Sequence, residues 1–493
     1  MQHWDNSMNP RALCLIGAAQ HTDRSSNAPE PLASWAELAT RAAADTGVAN
    51  VLAQVDSMQV VYCHSWPYDD PVGRLATALG IDPRHRHYSG IGGTTPQLLV
   101  NDTAEAMLRG ELELALIVSG EALATVRAAK KAGERLPWSH RQSSPFPWDP
   151  PHASELAHEV MQAWETFPLW DTARRARLGA SLDDDAAEAA RVMAAMSTVA
   201  ATNPHAWRPV ALDAATVGTA TADNRYVGWP YTKHEVAVMD VDMSAALLLA
   251  TAEKADALGV AEDRRLYLTG WAYAQDPDGI AERGDLSRSG AMEVVGNHAM
   301  RSAGVDIDDI DAFDLYSCFP SSVRLACDAL GLALDDPRGH TVTGGLPYAG
   351  GPASAYQMHA IASAYHRLRE GGGRALITGV GMHLAKHVAA VWSTTPADPA
   401  PSDADALQAE VESGQPRMPL LVTYSGPATV RAYTVAHGRD GAPQQGLVIL
   451  DTAEGRAIAR IHDPDLLVDA ESRELVGVDV TVSTDGKRNE ARW

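Results

Sequence analysis

Apolar residues recur along this chain in two rhythms. Short continuous runs, ALCLIGAAQ at 12–20, MQVVYCH at 58–64 and LALIVSG at 114–120, have the length of buried strands. Further on, DMSAALLLATAEKA (242–255), YLTGWAYAQ (267–275), IDAFDLYS (310–317) and HVAAVWSTT (387–395) repeat the type and are assigned to a second half. Between the runs the spacing is helical. Met358, Ile361, Ala362 and Tyr365 fall at i, i+3, i+4 and i+7, and AMEVVGNHAMRSAG closes on Gly304 as helices often do. Strands alternating with helices predict layered sheets with helices packed against them.

One stretch has an echo. Residues 90–121 run from a Gly-Gly turn through a helix-like segment with Leu98, Leu99, Ala106 and Leu108, past Gly110, into a buried-looking strand. Residues 349–380 repeat that order, from Gly350-Gly351 through a helix and Gly371–Gly373 into RALITGV. Two such units at corresponding places predict a duplicated α/β fold. A tight Gly turn opening a helix lets backbone and ligand approach closely, and aims N–H groups at an anion or developing oxyanion. The halves are read as 1–121 and 236–395, separated by an inserted loop region, 122–235, rich in Pro, Trp and basic residues. Lys130, Lys131, Arg135, Arg141, Arg174 and Arg175 make that insertion a basic island. A Pro/Ala/acidic linker, 396–415, precedes residues 416–493, where alternating apolar positions and the turns GRDGAP and TAEGR predict a small OB-like β-barrel.

Composition narrows the function. The net charge is −23, which disfavours general binding to nucleic acid but permits an anionic small ligand at a local positive patch. The four cysteines, Cys14, Cys63, Cys318 and Cys327, form no CxxC pair, so neither a zinc knuckle nor a disulfide framework is expected. His152 and His158 lack a third ligand at sensible spacing, and no metal site is expected. The amino terminus carries no apolar leader and the longest apolar run is too short for a bilayer, so a cytoplasmic protein without a membrane span is expected.

The two halves, the insertion and the Gly turns, over roughly residues 10 to 395, resemble the thiolase superfamily. NRYVGWPYTKHEVAVMDVDMSAALLLAT (224–251) resembles thiolase-like proteins of the acetyl-CoA acetyltransferase kind. The tail resembles the extra C-terminal domain of type-1 thiolase-like proteins. The resemblance implies a duplicated thiolase fold of stacked α and β layers, coenzyme A or acyl-CoA as ligand, and a monomer or homodimer. It also implies three catalytic groups that this chain lacks. The nucleophilic cysteine of the first elbow falls at Thr94, in Gly92-Gly93-Thr94-Thr95-Pro96. The His of the second turn falls at Gly351, and the C-terminal Cys-x-Gly turn at Thr378 or Gly379. In the branch resembling sterol-carrier thiolases, a His-Asp-Cys-Phe motif lines the acyl pocket. Here it reads Tyr316-Ser317-Cys318-Phe319, with Tyr316 in the His slot.

The candidate catalytic residues are therefore Tyr316, His383 and Cys318. Tyr316 and Cys318 share a face if the strand continues through them, and His383 and Lys386 follow a Gly turn in GMHLAKH. Gly92, Gly93, Thr94, Gly350, Gly351, Ser354 and Lys386 are the candidates for holding the thioester. Cys63 and His64 are adjacent, so on a strand they face opposite ways and make no dyad. The function implied is an acyl-CoA acyltransferase or carbon–carbon bond enzyme of lipid metabolism working without the usual cysteine. The alternative is a catalytically inactive acyl-CoA-binding protein.

Overall fold

A computed structural model describes residues 9–142, 147 and 151–493. The amino-terminal segment and residues 143–146 and 148–150 of the Pro- and Trp-rich run lie outside the described residues. The first half runs β1 (Leu13–Thr22), α1 (Pro31–Asp45), β2 (Ser57–Val60), α2 (Pro71–Leu79), β3 (His85–Tyr88), α3 (Thr95–Leu108) and β4 (Leu114–Ala122). The insertion follows as α4 (Leu123–Ala132), α5 (Ala153–Ala157), α6 (Ala163–Leu178), α7 (Leu182–Thr202), α8 (Ala214–Gly218), β5 (Tyr226–Trp229) and β6 (Tyr231–Thr232). Then come β7 (Asp242–Thr251), α9 (Ala252–Leu258), β8 (Leu266–Gln275), α10 (Gly290–Ser302), β9 (Ala312–Asp314), α11 (Pro320–Leu330), α12 (Tyr356–Gly371), β10 (Arg374–Gly381) and β11 (Lys386–Ser393). The tail holds α13 (Ala404–Gly414), β12 (Leu420–Leu421), β13 (Gly426–His437), β14 (Pro443–Asp451), β15 (Arg456–Ile461), α14 (Pro464–Ser472), β16 (Asp479–Thr484) and β17 (Asn489–Arg492).

The duplication is visible in strand order. The first half-sheet reads β3-β2-β4-β7-β1 and the second β9-β10-β11-β8. In both, a parallel pair (β2/β4; β9/β10) is followed by two antiparallel pairs. The half-sheets join edge to edge where Cys14 meets Tyr267 and Leu15 meets Leu266. β7, assigned from sequence to the second half, lies in the first, between β4 and β1. Its apolar run announces a strand buried on both faces, and all ten residues are buried, but a run does not name its neighbours. The helices that follow the two Gly turns pack on each other between the layers. α3 also contacts β1, β8 and β11, while α12 contacts β1, β7, β8 and β10. Both bury residues all round, as central helices must.

The tail closes into a barrel. Strands pair in the ring β13-β14-β15-β17-β16-β13, with β15 and β17 parallel and α14 between β15 and β16, the arrangement of an OB fold. β16 alternates between exposed and buried residues, as expected of a strand with one wet face. β13 does so only at first, and its last six residues are all buried, because α6 and β5 cover them. The segment 122–235, expected as loop, is thus largely helical among its described residues and docks on the barrel. The expected linker contains α13, which packs on β8 and α10. No helix among the described residues is long and apolar enough to cross a membrane.

Candidate functional site

The first Gly turn is the meeting point. A Cβ placed on Gly93 would lie 2.3 Å from the Tyr316 hydroxyl and 2.2 Å from the Val380 carbonyl oxygen, so only glycine admits both. The Thr94 hydroxyl stands 3.2 Å from the Cβ position of Gly381. The Gly92 N–H donates to Ser354 Oγ at 3.0 Å, and that oxygen is 3.3 Å from His64 Nε2. Four separated stretches, 92–94, 316, 354 and 380–381, therefore converge at the amino end of α3.

β9 ends at Asp314, and residues 315–319 form the turn into α11, which starts on Pro320. The Tyr316 N–H donates to Thr378 Oγ1 at 3.0 Å. Its ring stands edge-on to Tyr356, 5.5 Å away, and the Tyr356 hydroxyl donates to Asp314 at 2.9 Å. Burial raises the Tyr316 hydroxyl well above the ordinary tyrosine range, with neighbouring Cys318 adding to the shift. At neutral pH it is a hydrogen-bond donor, not a base. Asp314, pushed up to about 6 by burial, also accepts from Thr341 and the Val342 N–H.

Cys318 is a poor nucleophile here. Burial pushes its thiol up to about 12, and it is paired with Ser322 Oγ at 3.1 Å. His383 turns to the insertion, where its Nδ1 is 2.8 Å from Thr166 Oγ1 of α6 and its carbonyl accepts from Arg283. Burial, then Arg283, lowers its pKa to about 4, so it is neutral. Lys386 opens β11 opposite Gly381, half-buried.

The second turn is engaged differently. Gly350 has φ +109°, and a Cβ there would meet Met243 sulfur at 2.6 Å and Trp207 Cβ at 3.2 Å. The Gly351 N–H donates to Val238 O at 2.8 Å. Trp207 of the insertion, Val238 and Met243 at the start of β7 lie over this turn, and Ser354, three residues on, is what reaches the first elbow.

His64, set aside in the sequence, thus belongs to the site. Cys63 and His64 do part, with Cys63 facing Ser65 and Glu121. Glu121, buried at the end of β4, accepts from the His64 and Ser65 N–H groups at 2.7 and 2.8 Å and holds that loop against the strand. Burial pushes its pKa up to about 7 and lowers that of His64 to about 4. A carboxylate inside the apolar run LALIVSGEA was the signal for Glu121. The basic island also divides. Arg174 pairs with Asp328 and Glu188, and Arg175 pairs with Glu474 and the Tyr433 hydroxyl, so both tie α6 to its surroundings. His158 is likewise structural, accepting from the Asn489 N–H of the barrel at 2.8 Å. The described residues contain no group of three or more potential metal ligands.

Duplicated half-sheets around two central helices, with the elbow of one helix facing residues from both halves, define a thiolase fold. Among solved structures, acetyl-CoA acetyltransferase from Syntrophomonas wolfei shares it at 13% identity over 78% of this chain and 99% of that one, TM-score 0.58. The Ltp2-ChsH2(DUF35) aldolase shares it at 18% identity over 78% and 98%, TM-score 0.61. A monomeric SCP2-thiolase-like protein type 1 from Mycobacterium smegmatis is similar over 98% of this chain and 99% of its own, at 32% identity and TM-score 0.86. The model of the thiolase-like protein type 1 additional C-terminal domain matches residues 406–487. No curated protein matches the sequence. The chain belongs to the SCP2-thiolase-like protein type 1 family.

Proposed function

We propose that the chain acts on an acyl thioester of coenzyme A in lipid metabolism, making or breaking a carbon–carbon bond beside the thioester carbonyl without an acyl-cysteine intermediate. The supporting observation is the Tyr316 hydroxyl held over Gly93, with Thr94 and Gly381 alongside. The thioester oxygen is taken at this elbow. When the bond beside the carbonyl breaks, its electron pair delocalises onto that oxygen as an enolate, and Tyr316 donates a hydrogen bond to the growing charge. His64, neutral and linked to the elbow through Ser354, accepts the substrate proton. Lys386, opposite Gly381, borders the site, whereas Gly350 and Gly351 lie under Met243, Trp207 and Val238 and His383 faces Thr166 of α6, so these three stay outside the proposed chemistry. The aldolase of the same fold is named for this class of chemistry.

A second reading is a catalytically inactive acyl-CoA-binding protein. It is favoured by the buried, un-ionised Cys318 and the missing elbow cysteine.

The test is a panel of radiolabelled acetyl-, 3-hydroxyacyl- and 3-oxoacyl-CoA, with product analysis. Turnover should survive Cys318→Ala and fall about a hundredfold in Tyr316→Phe, the scale of losing one oxyanion donor. Saturable binding with no turnover on any substrate establishes the second reading. A covalent acyl-enzyme lost in Cys318→Ala overturns both.

A further inference from the structure

Arg283 lies in the loop between β8 and α10 and is fully buried. Its guanidinium sits 4.1 Å over the Trp170 ring of α6. Nη2 donates to the His383 carbonyl at 2.7 Å and Nε to Pro277 O at 3.3 Å, while Nη1 has no hydrogen-bond partner among the described residues. Asp276, Glu155 and Asp278 attract it, but among the described residues none of them is hydrogen-bonded or ion-paired to it. A cation kept in the interior without a counter-ion is costly. What this one holds is a carbonyl in the turn between β10 and β11.

That turn is strained. Met382 has φ +55° and Leu384 φ +58°, in the left-handed region that non-glycine residues enter at a cost. Its surroundings hold it there. The Asp276 N–H donates to Ala385 O at 2.9 Å, and Leu384 O lies 3.0 Å from His387 Nε2. The residues just before the turn form a wall of the first elbow, with Val380 O against Gly93 and Gly381 against Thr94. Lys386 follows directly after it.

The barrel grips the same loop from the other side. Arg456, which opens β15, donates through Nη1 to the Arg283 carbonyl and through Nη2 to Gly284 O at 2.9 Å. Its Nε is held by Asp451, at the end of β14, at 2.7 Å. Hydrogen bonds therefore lead from Asp451 through Arg456 and Arg283 to His383, two residues from the elbow wall. We infer that Arg283 is a positioning residue for the elbow, and that the barrel keeps the elbow wall in register through Arg456 and Arg283. The catalytic consequence rests on the thioester reading above; the coupling itself stands on these contacts. Arginine suits the place because its planar fork lies flat on an indole while donating along its edge, which an ammonium cannot do.

Hydrogen–deuterium exchange of the full chain, followed peptide by peptide, tests the coupling without a substrate. In Arg283→Met and in Arg456→Met the amides of 379–388 should exchange about tenfold faster or more. Arg283→Lys should restore part of the protection. Arg431→Ala, which removes the other partner of Asp451, should leave the hairpin unchanged. On the acetyl-, 3-hydroxyacyl- and 3-oxoacyl-CoA panel, kcat of both Met variants should fall about tenfold with KM little changed, since a misplaced wall costs the transition state more than binding. Arg283→Lys should fall between them and the wild type. If Arg283→Met does not fold, Arg283→Lys and Arg456→Met carry the same readings. Hairpin exchange at the wild-type level in the folded variants overturns the inference and spares the thioester reading wherever turnover is found. Loosening in Arg283→Met but not in Arg456→Met overturns the barrel's part. A loosened hairpin with kcat unchanged overturns the positioning role. A loosened hairpin in a protein that turns over no thioester upholds the coupling and ends the thioester reading.

Discussion

The two Gly turns are the same device used twice, and the molecule treats them oppositely. Each opens a buried helix ahead of a central strand. At the first, Ile91, Gly92 and Gly93 are half-exposed, and the turn is faced by a phenol, a carbonyl and a serine hydroxyl. At the second, Gly350 and Gly351 are buried beneath Met243, Trp207 and Val238. Duplication supplied two elbows with N–H groups at a helix end. Trp207 of the insertion, with Val238 and Met243 where the chain enters β7, covers one and leaves the other open. The second half still contributes through Ser354, which takes over from the glycines as the group that reaches across.

The largest expected effect comes from adding one methyl group at each turn. Gly93→Ala sets a Cβ against the backbone carbonyl of Val380 and the Tyr316 hydroxyl, neither of which is a flexible side-chain end. A loss of about 4 kcal/mol is expected, with the site distorted. Gly350→Ala meets the mobile end of Met243 and mainly suffers its positive φ, for about 2 kcal/mol. Gly371→Ala, in α12 with open space around it, should be neutral or stabilise by about 0.5 kcal/mol. Denaturant unfolding of the three variants gives the order, and equal losses at 93 and 350 would erase the contrast between the turns.

The contrast itself was not legible in the sequence, although the duplication was. Periodicity placed the strands, the two central helices and the barrel, because burial on both faces and alternation leave marks at fixed spacing. It misplaced β7, whose apolar run is silent about partners. It read 122–235 as loop because Pro, Trp and Arg conceal helices whose buried faces pack through ion pairs, such as Arg324 with Asp171 and Arg174 with Asp328. Gly92, Gly93, Thr94, Ser354 and Tyr316, named from the sequence by counting motif slots from a turn, lie together at the first elbow. His64, Glu121 and Asp314 were not among them, because what brings them to the elbow is contact between segments far apart in the chain.

Glu121 offers a sharper probe of the first elbow, since the matching end of β10, Gly379–Gly381, carries no charge. Its pKa is raised from 4.5 to about 7 in the folded chain, chiefly by burial. A carboxyl raised on folding favours the folded state while protonated. Its contribution is complete below about 4.5 and lost as pH rises through about 7. Glu121→Gln removes this dependence, so the stability of the wild type relative to the variant should fall by about 3 kcal/mol across that window. His64, lowered to about 4, titrates in the opposite sense, and its share cancels in the difference between the two proteins. A difference that stays flat with pH would mean that Glu121 does not hold the loop at the elbow as a buried carboxyl.

The smallest expected loss is the most discriminating. Ser354→Ala removes the acceptor of the Gly92 N–H and the hydroxyl beside His64 Nε2, where the second half meets the first elbow through a side-chain hydroxyl bonded to its backbone. Because Gly92 is half-exposed, water can replace the lost oxygen, and the cost should be about 1 kcal/mol. Activity should respond more than stability, since the link from His64 to the elbow is cut. The pH profile of kcat/KM should lose its lower limb, which in the wild type reports His64 becoming protonated as pH falls toward about 4. Ser354→Thr, which restores the hydroxyl, should recover the limb in part. If Ser354→Ala lowers stability alone and leaves the profile intact, Ser354 is a brace between the halves, and the proton route through His64 has to be given up.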